Sequence, residues 1–524
     1  MPAYFRALAA VMAAVTMLVA PAVAMAAQNN APSEASAVHI PERRIDRAIA
    51  SIDGLASELL RKSGVPGMAV AVVHNDKIVY AAGFGVRKVG TNERVDPNTV
   101  FELASVSKSL ASTVVAAAVG RGTVKWSDPV AKYVPGFTLS DPYVGAHVTI
   151  ADMFAHRSGL PDHAGDLLED LGYNRATIVR RLALEPLEPF RITYNYTNFG
   201  LTAAAQAVAN ANHTTWEELS RDLLYKPLGM NATSSSYADY EKAANKAALH
   251  VRIGNTWVAK YTRDADAQSP AGGASSTVLD LARWMRLELA NGRYDGKQIV
   301  QESALLQTRK PNLVSSPISS PVARASFYGL GMGVSYDETG RLRLTHSGAF
   351  AVGAATTYAL LPSERLGIVV LTNGMPVGVP ETLAAEFLDL AELGSIQRDW
   401  YAAYSHVMAA FFVNHSALAG KTPPVHPRPA RPASAYAGNY SNAYYGPASI
   451  ESQNGRLVMV LGPRRERFVL QHWDGETFSY TPVGENAVGI SAVTFAKSGA
   501  GAETFTVENL DANKLGTFVR VPPS

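Results

Sequence analysis

The sequence predicts an α+β protein in two parts: a sheet flanked by helices, with a mostly helical insertion, followed by a small β-rich unit at the C-terminal end. Three observations predict it. Short apolar and β-branched runs bounded by turn signals occur early, at 68–73 and 78–82, and again late, at 342–345, 355–361 and 367–372. Between them, from about 126 to about 309, apolar residues recur at helical spacing broken by Pro and Gly. Finally, Pro423, Pro424, Pro427, Pro429 and Pro432 crowd a stretch that no helix or central strand would accept.

Taken in order, the chain opens with Arg6, an apolar run over 7–19, and small residues spaced for cleavage at Ala22-Val23-Ala24 or Ala24-Met25-Ala26. This pattern predicts a signal peptide over 1–26 and a periplasmic or secreted protein. A membrane anchor would need about 20 consecutive apolar residues, and Pro21 followed by Gln28-Asn29-Asn30 argues against one. No stable membrane span is expected after cleavage. The main unit is expected over 40–420. It begins with a β-hairpin turning at His74-Asn75-Asp76-Lys77, and the Ala/Val/Leu density of 110–119 predicts a buried helix that ends at Gly120 and Gly122. Further helices are expected at 197–211, 216–224 and 278–289, and the two strand-rich ends of the unit are expected to share one sheet. The Pro-rich segment 421–434 reads as an extended linker. Beyond it, over 435–524, short strands alternate with Gly, Asn and Asp turns, which fits a small antiparallel barrel or sandwich.

With 524 residues, 47% hydrophobic and 18% charged, the chain has the composition of a globular protein with more than one core. A net charge of +2 and the lack of a long Lys/Arg run exclude a phosphate-tracking surface, so no nucleic-acid partner is expected. The chain has no cysteine, which excludes disulfides, a thiolate nucleophile and thiolate-bound zinc.

Three strings carry chemistry. In Ser105-Val106-Ser107-Lys108, where an extended segment turns into a helix, the spacing puts Ser105 and Lys108 on one helical face. A serine hydroxyl attacks only when a base removes its proton, and a lysine serves once burial and neighbours lower its pKa. In Tyr196-Thr197-Asn198-Phe199-Gly200 the phenol of Tyr196 would shuttle a proton if cationic neighbours lowered its pKa, and the amide of Asn198 would hold a substrate carbonyl. In Thr345-His346-Ser347-Gly348-Ala349, Gly348 would let a substrate backbone lie close to the strand. The N–H of Ala349 would join that of Ser105 as an oxyanion hole. Each string also has a plain structural reading: a capped helix, a Tyr/Asn turn under a helix, an edge strand with a surface histidine. His156 and His163 read as structural and not as zinc ligands.

In this order and at these intervals the strings resemble the serine β-lactamase and penicillin-recognising hydrolase superfamily, in its class C and D-aminopeptidase-like branch, which also contains esterases. Ala155-His156-Arg157-Ser158-Gly159-Leu160-Pro161, Pro227-Leu228-Gly229-Met230, Gly272-Gly273-Ala274-Ser275-Ser276 and Tyr328-Gly329-Leu330-Gly331 resemble its recurring segments as well. The resemblance implies a β-lactamase-like antiparallel sheet flanked by helices. It also implies Ser105 as nucleophile, Lys108 and Tyr196 as the acid/base pair, Asn198 as a substrate ligand, and His346, Gly348 and Ala349 on the substrate-binding strand. No metal and no cofactor are implied. The C-terminal unit resembles the lipocalin-like barrel appended to some peptidases of the branch. Many members carry lysine where this chain has His346, and that lysine helps hold a substrate carboxylate. A histidine, neutral above a pKa near 6.5, anchors one more weakly.

The expected partner is therefore a small peptide, amide or ester substrate, with short or unusual peptides first. The alternatives are a carboxylesterase of the same family, a β-lactamase or DD-carboxypeptidase, and a non-catalytic peptidoglycan-binding or sensor protein.

Overall fold

The computed structural model describes residues 38–497 and 503–522; the expected signal peptide over 1–26 lies outside them. The hairpin forms as β1 (Gly67–His74) and β2 (Lys77–Gly85). Its turn residues Asn75 (φ 49°) and Asp76 (φ 61°) both take the left-handed conformation of a tight two-residue hairpin turn. The chain then builds its helical region and returns through β3 (Leu313–Ser316), β4 (Ser326–Tyr328), β5 (Gly333–Tyr336), β6 (Leu342–Phe350), β7 (Ala354–Leu361) and β8 (Leu366–Thr372). These make one 8-stranded antiparallel sheet in the order β2-β1-β8-β7-β6-β5-β4-β3. Pairing of β1 with β8, from Met68 opposite Thr372 to His74 opposite Leu366, joins the two distant strand-rich segments.

Every residue of β1 and β8 is buried, because both sheet faces are covered. Met68, Val70 and Val72 share one core with Ile368 and Val370, under α1 (Glu42–Ser63) and the late helix Val379–Glu392. Ala69, Ala71 and Val73 belong to the opposite core. A strand buried on both faces reads as a continuous apolar run and not as an alternation. On α1 the buried positions Ile45, Ala48, Ile52, Ala56 and Leu59 fall on one helical stripe, and Gly64 (φ 72°) closes the helix.

The second core is organised around α2 (Ser107–Gly120), in which every residue from Ser107 to Ala118 is buried. A helix surrounded on all sides needs small residues, and this one is largely Ala, Ser and Val. Packed about it are α3 (Asn198–Ala211) and α4 (Val278–Leu289), the latter capped by Thr277 accepting from the Asp280 N–H. The helix expected at 216–224 forms in pieces, α-helical over Trp216–Ser220, then a π turn over Arg221–Tyr225. Pro227 has no N–H to return to the preceding turn, which accounts for the wider ladder there. α2 and α4 are cross-linked in the interior: Thr113 donates to Glu288 at 2.8 Å, Trp284 donates to Thr113 at 3.0 Å, and Arg309 pairs with Glu288 at 3.0 Å.

After the Pro-rich stretch comes a closed barrel, not a sandwich, of β9 (Gly438–Asn442), β10 (Gly446–Gln453), β11 (Arg456–Leu461), β12 (Glu466–Asp474), β13 (Thr477–Tyr480), β14 (Ser491–Lys497), β15 (Glu503–Val507) and β16 (Thr517–Arg520). Buried Tyr436, Tyr440, Phe478, Phe495, Phe505 and Phe518 pack against one another, with Phe505 and Phe518 stacked at 4.8 Å. An 8-stranded barrel is just wide enough inside for side chains of this size. The Pro-rich stretch is strapped to it by Arg428 on Asp474 (2.7 Å) and Arg431 on Glu476 (2.6 Å). Among the described residues no helix is long and apolar enough to cross a membrane.

Replacing Arg309 by Ala leaves the Glu288 carboxylate buried without its cation. The expected cost is about 3 kcal/mol of unfolding free energy, read as an earlier transition in urea followed by tryptophan fluorescence.

Candidate active site

Ser105 sits on a short 3-10 turn, Ala104–Val106, that leads directly into α2. Ala104 is held at φ 46°, a left-handed conformation costly for a residue with a Cβ, on the order of 1 kcal/mol or more. Packing enforces it: Ala104 is buried in a small cluster with Leu249, Ala265, Phe350 and Ala354. From Phe101 to Leu110 only Ser105 is open to solvent. Ser107, the neighbouring hydroxyl, is buried and accepts the Ala274 N–H at 3.0 Å, so it is structural.

Lys108 is fully buried, with Nζ 3.0 Å from Ser105 Oγ, 2.7 Å from Asn198 Oδ1 and 2.8 Å from the Ala271 carbonyl. A neutral amine has two N–H bonds and one lone pair. Asn198 and Ala271 accept the two N–H bonds, which leaves the lone pair for the Ser105 hydroxyl. Burial brings the Lys108 pKa down to about 7, against the opposing pull of Asp166. The deprotonated form is thus within reach at neutral pH, as a general base requires.

Behind Asn198 lies a residue that the motifs did not single out. Asp166 accepts Asn198 Nδ2–H at 2.8 Å and His163 Nδ1–H at 2.8 Å. Asn198 thus bridges Asp166 and Lys108, and one N–H of its amide remains for substrate. No local signal ties Asp166 to the site, because Asn198 lies 32 residues away in sequence. His163 also ties its backbone N–H to the Tyr196 carbonyl at 2.8 Å.

Lys108 Nζ lies 4.5 Å from the centre of the Tyr196 ring, and the phenol is close enough to Ser105 to feel its hydroxyl. The expectation of a lowered phenol pKa is corrected here. Burial pushes it well above 10, and Tyr194, Asp166 and Asp162 push in the same direction, against the opposing influence of Ser105. Tyr196 therefore keeps its proton at rest. His156 accepts the Thr197 N–H on Nδ1 at 3.1 Å, lies 4.5 Å from Tyr196 ring to ring, and is held neutral by burial.

His346 is neutral too. Its Nδ1–H donates to the Ser347 carbonyl at 2.7 Å, so Nε2 accepts from Tyr328 Oη–H, also at 2.7 Å. Burial, aided by Lys108, brings its pKa down to about 3. His156, His346, Tyr194, Tyr196 and Tyr328 form a contiguous aromatic wall beside Ser105.

Gly348 lies hard against the turn that carries Ser105. A Cβ there would lie 2.2 Å from the Leu103 carbonyl, 2.5 Å from Thr356 Oγ1 and 2.9 Å from Ser105 N. What presses on the glycine is the nucleophile turn itself, before any substrate arrives. Ala349 follows on β6, partly exposed and paired with Ala355 of β7, beside the same turn. A cavity of about 880 Å³ lies elsewhere, lined by Phe137, Tyr173, Arg175 and Arg464, and holds none of these groups. Among the described residues no cluster of three or more His, Asp or Glu side chains is arranged to hold a metal ion.

The family described as Beta-lactamase matches residues 52–393, and a Domain of unknown function (DUF3471) matches 422–515. The chain belongs to the beta-lactamase family. It is 24% identical over 489 residues to the Unguisins hydrolase ungD of Aspergillus violaceofuscus, covering 85% of each chain. It is also 24% identical over 331 residues to the D-alanyl-D-alanine-carboxypeptidase/endopeptidase AmpH of Escherichia coli, covering 62% of this chain and 84% of that one. The octameric penicillin-binding protein homologue of Pyrococcus abyssi shares the fold, with a TM-score of 0.58 at 17% identity over 90% of this chain and 100% of that one. As a beta-lactamase-family protein with hydrolase relatives, the chain is a hydrolase.

Two outcomes are expected. Protonation of Lys108 removes the lone pair, so the rate at which a serine-directed phosphonate labels Ser105 rises with pH through a midpoint near 7, measured by intact mass. Gly348→Ala displaces the nucleophile turn and lowers the labelling rate by about a hundredfold.

Proposed function

We propose that this chain is an exported serine hydrolase that cleaves amide bonds of short or unusual peptides through an acyl-enzyme on Ser105. One observation carries the reading: Lys108 has an acceptor for each N–H of a neutral amine, and its remaining valence points at Ser105 Oγ.

In the first step Ser105 Oγ bonds to the substrate carbonyl carbon while its proton passes to Lys108 Nζ. The oxyanion is held by the N–H groups of Ser105 and Ala349. Collapse breaks the C–N bond, and the leaving amine takes the Tyr196 phenol proton as Tyr196 regains one from Lys108. The high phenol pKa suits a relay that never rests as phenolate. Water then attacks the acyl-enzyme by the same groups in reverse.

Peptide substrates are supported by the relatives, one described as a hydrolase of unguisins and another as a D-alanyl-D-alanine-carboxypeptidase/endopeptidase. The neutral His346 supports a substrate that is not gripped there by a terminal carboxylate. That same uncharged wall favours a short ester as the second reading. Export, to the periplasm or the medium, rests on the signal-like pattern of 1–26.

A panel of D- and L-aminoacyl amides, linear peptides, short esters and a chromogenic β-lactam tests the reading, with intact-mass detection of the adduct. Peptide or amide turnover is expected to dominate; ester turnover with none on peptides would replace the first reading by the second. Lys108→Ala and Tyr196→Phe are each expected to lower kcat by about 10²- to 10⁴-fold while leaving the fold intact, checked by a retained cooperative melting transition. Absence of any phosphonate adduct at Ser105 would favour a non-catalytic binding protein.

A further inference from the structure

The barrel reaches the nucleophile turn through one loop. Between β13 and β14, Glu485 turns its carboxyl group onto the tip of the β6–β7 hairpin, where Oε1 accepts the Ala351 N–H at 2.6 Å and Oε2 the Val352 N–H at 3.4 Å. These amides directly follow Phe350. The Phe350 ring packs against Ala104, the strained residue before the nucleophile, and lies near Gly272, next to the Ala271 carbonyl that accepts from Lys108.

The loop is in turn held from the main unit. Asp170 accepts the N–H groups of Glu485 and Asn486 at 3.0 Å each, and the Asn486 side-chain amide at 3.0 Å. Gly484 permits this approach, since a Cβ there would lie 2.6 Å from the Asp170 carboxyl carbon. Asp170 ends the helical turn Asp166–Asp170, whose first residue holds Asn198. Arg263 completes the joint: it pairs with Glu169, acts electrostatically on Glu485 and Asp170, and stacks on Phe350 at 5.2 Å. One barrel loop therefore touches both lines of support of the catalytic groups, Phe350 under Ser105 and the Asp166 turn behind Lys108.

We propose that Glu485 is a positioning residue for Ser105, pinning the Ala351–Val352 turn so that Phe350 holds the nucleophile turn in its strained conformation. The barrel is then part of the catalytic unit. This rests on the serine-hydrolase reading above, but it can fail separately.

The test uses the full chain and a fluorophosphonate probe, whose phosphorus bonds to Ser105 Oγ as fluoride leaves. Glu485→Ala is expected to lower the labelling rate about 10- to 100-fold, the scale set by a misplacement near 1 Å. On a turned-over substrate, kcat falls while KM stays within about threefold, since a ground-state contact is not what is lost. Glu485→Gln keeps an amide oxygen for the turn and is expected to stay within about threefold of the wild-type rate. A folded Glu485→Ala that labels as fast as wild type overturns the proposal. Should that variant lack a cooperative melting transition, Glu485→Asp decides: it keeps a carboxyl group but draws it back from the turn, and a wild-type rate overturns the proposal equally. Failure of the wild type to label at all would sink the serine-hydrolase reading, and this inference with it. Fast labelling of both wild type and Glu485→Ala sinks the inference alone.

Discussion

A lysine amine enclosed in protein, with two carbonyl oxygens and one hydroxyl as its neighbours, is the constraint that the rest of the structure serves. Burying a charge is expensive, so the site holds Lys108 near its deprotonation point and does not force it to stay ionised. That works only if the three partners cannot drift. Their scaffolds are tied together behind the site: Tyr358 donates to Ser109 and Ser109 to the Gly331 carbonyl, each at 2.8 Å, locking α2 against the sheet and the loop before β5. Gly331, at φ 82°, lies so close that a Cβ would stand 2.7 Å from the Lys108 carbonyl. The all-round burial of α2 and its composition of small residues are the same fact seen from packing and from sequence.

Much of this was legible in the sequence where the signal is local. The helices at 198–211 and 278–289 and the strands at 342–350, 354–361 and 366–372 fall close to where periodicity and turn residues place them. Ser105 and Lys108 meet because a spacing of three on a helical turn brings them together, whatever the fold. The helix Glu42–Ser63 escaped notice although its apolar stripe is regular, because its polar face dilutes the signal residue by residue.

What could not be read depends on contacts between distant segments. Asp166 gains its part from Asn198 and His163 only after folding. The Tyr196 phenol was expected to be acidified by cations, yet its pKa is governed by the solvent it loses, which no motif records. Gly348 was marked for approach of a substrate backbone; the protein atoms that crowd its α-carbon, from Leu103 and Ser105 on another element, carry no local signal in the sequence. The closed barrel was open to two readings, because alternation and turns are common to barrels and sandwiches, and closure is decided by the pairing of β9 with β16.

The aromatic wall has a consequence of its own. At neutral pH none of its five rings bears a full charge, since both imidazoles are held neutral and the three phenols keep their protons. Recognition against such a wall depends on shape and on stacking between faces and edges. Dissolved ions screen attraction between opposite charges but leave contacts of this kind almost untouched. Contacts of the kind this wall offers are therefore insensitive to ionic strength, unlike those of a pocket built on a lysine or arginine anchor.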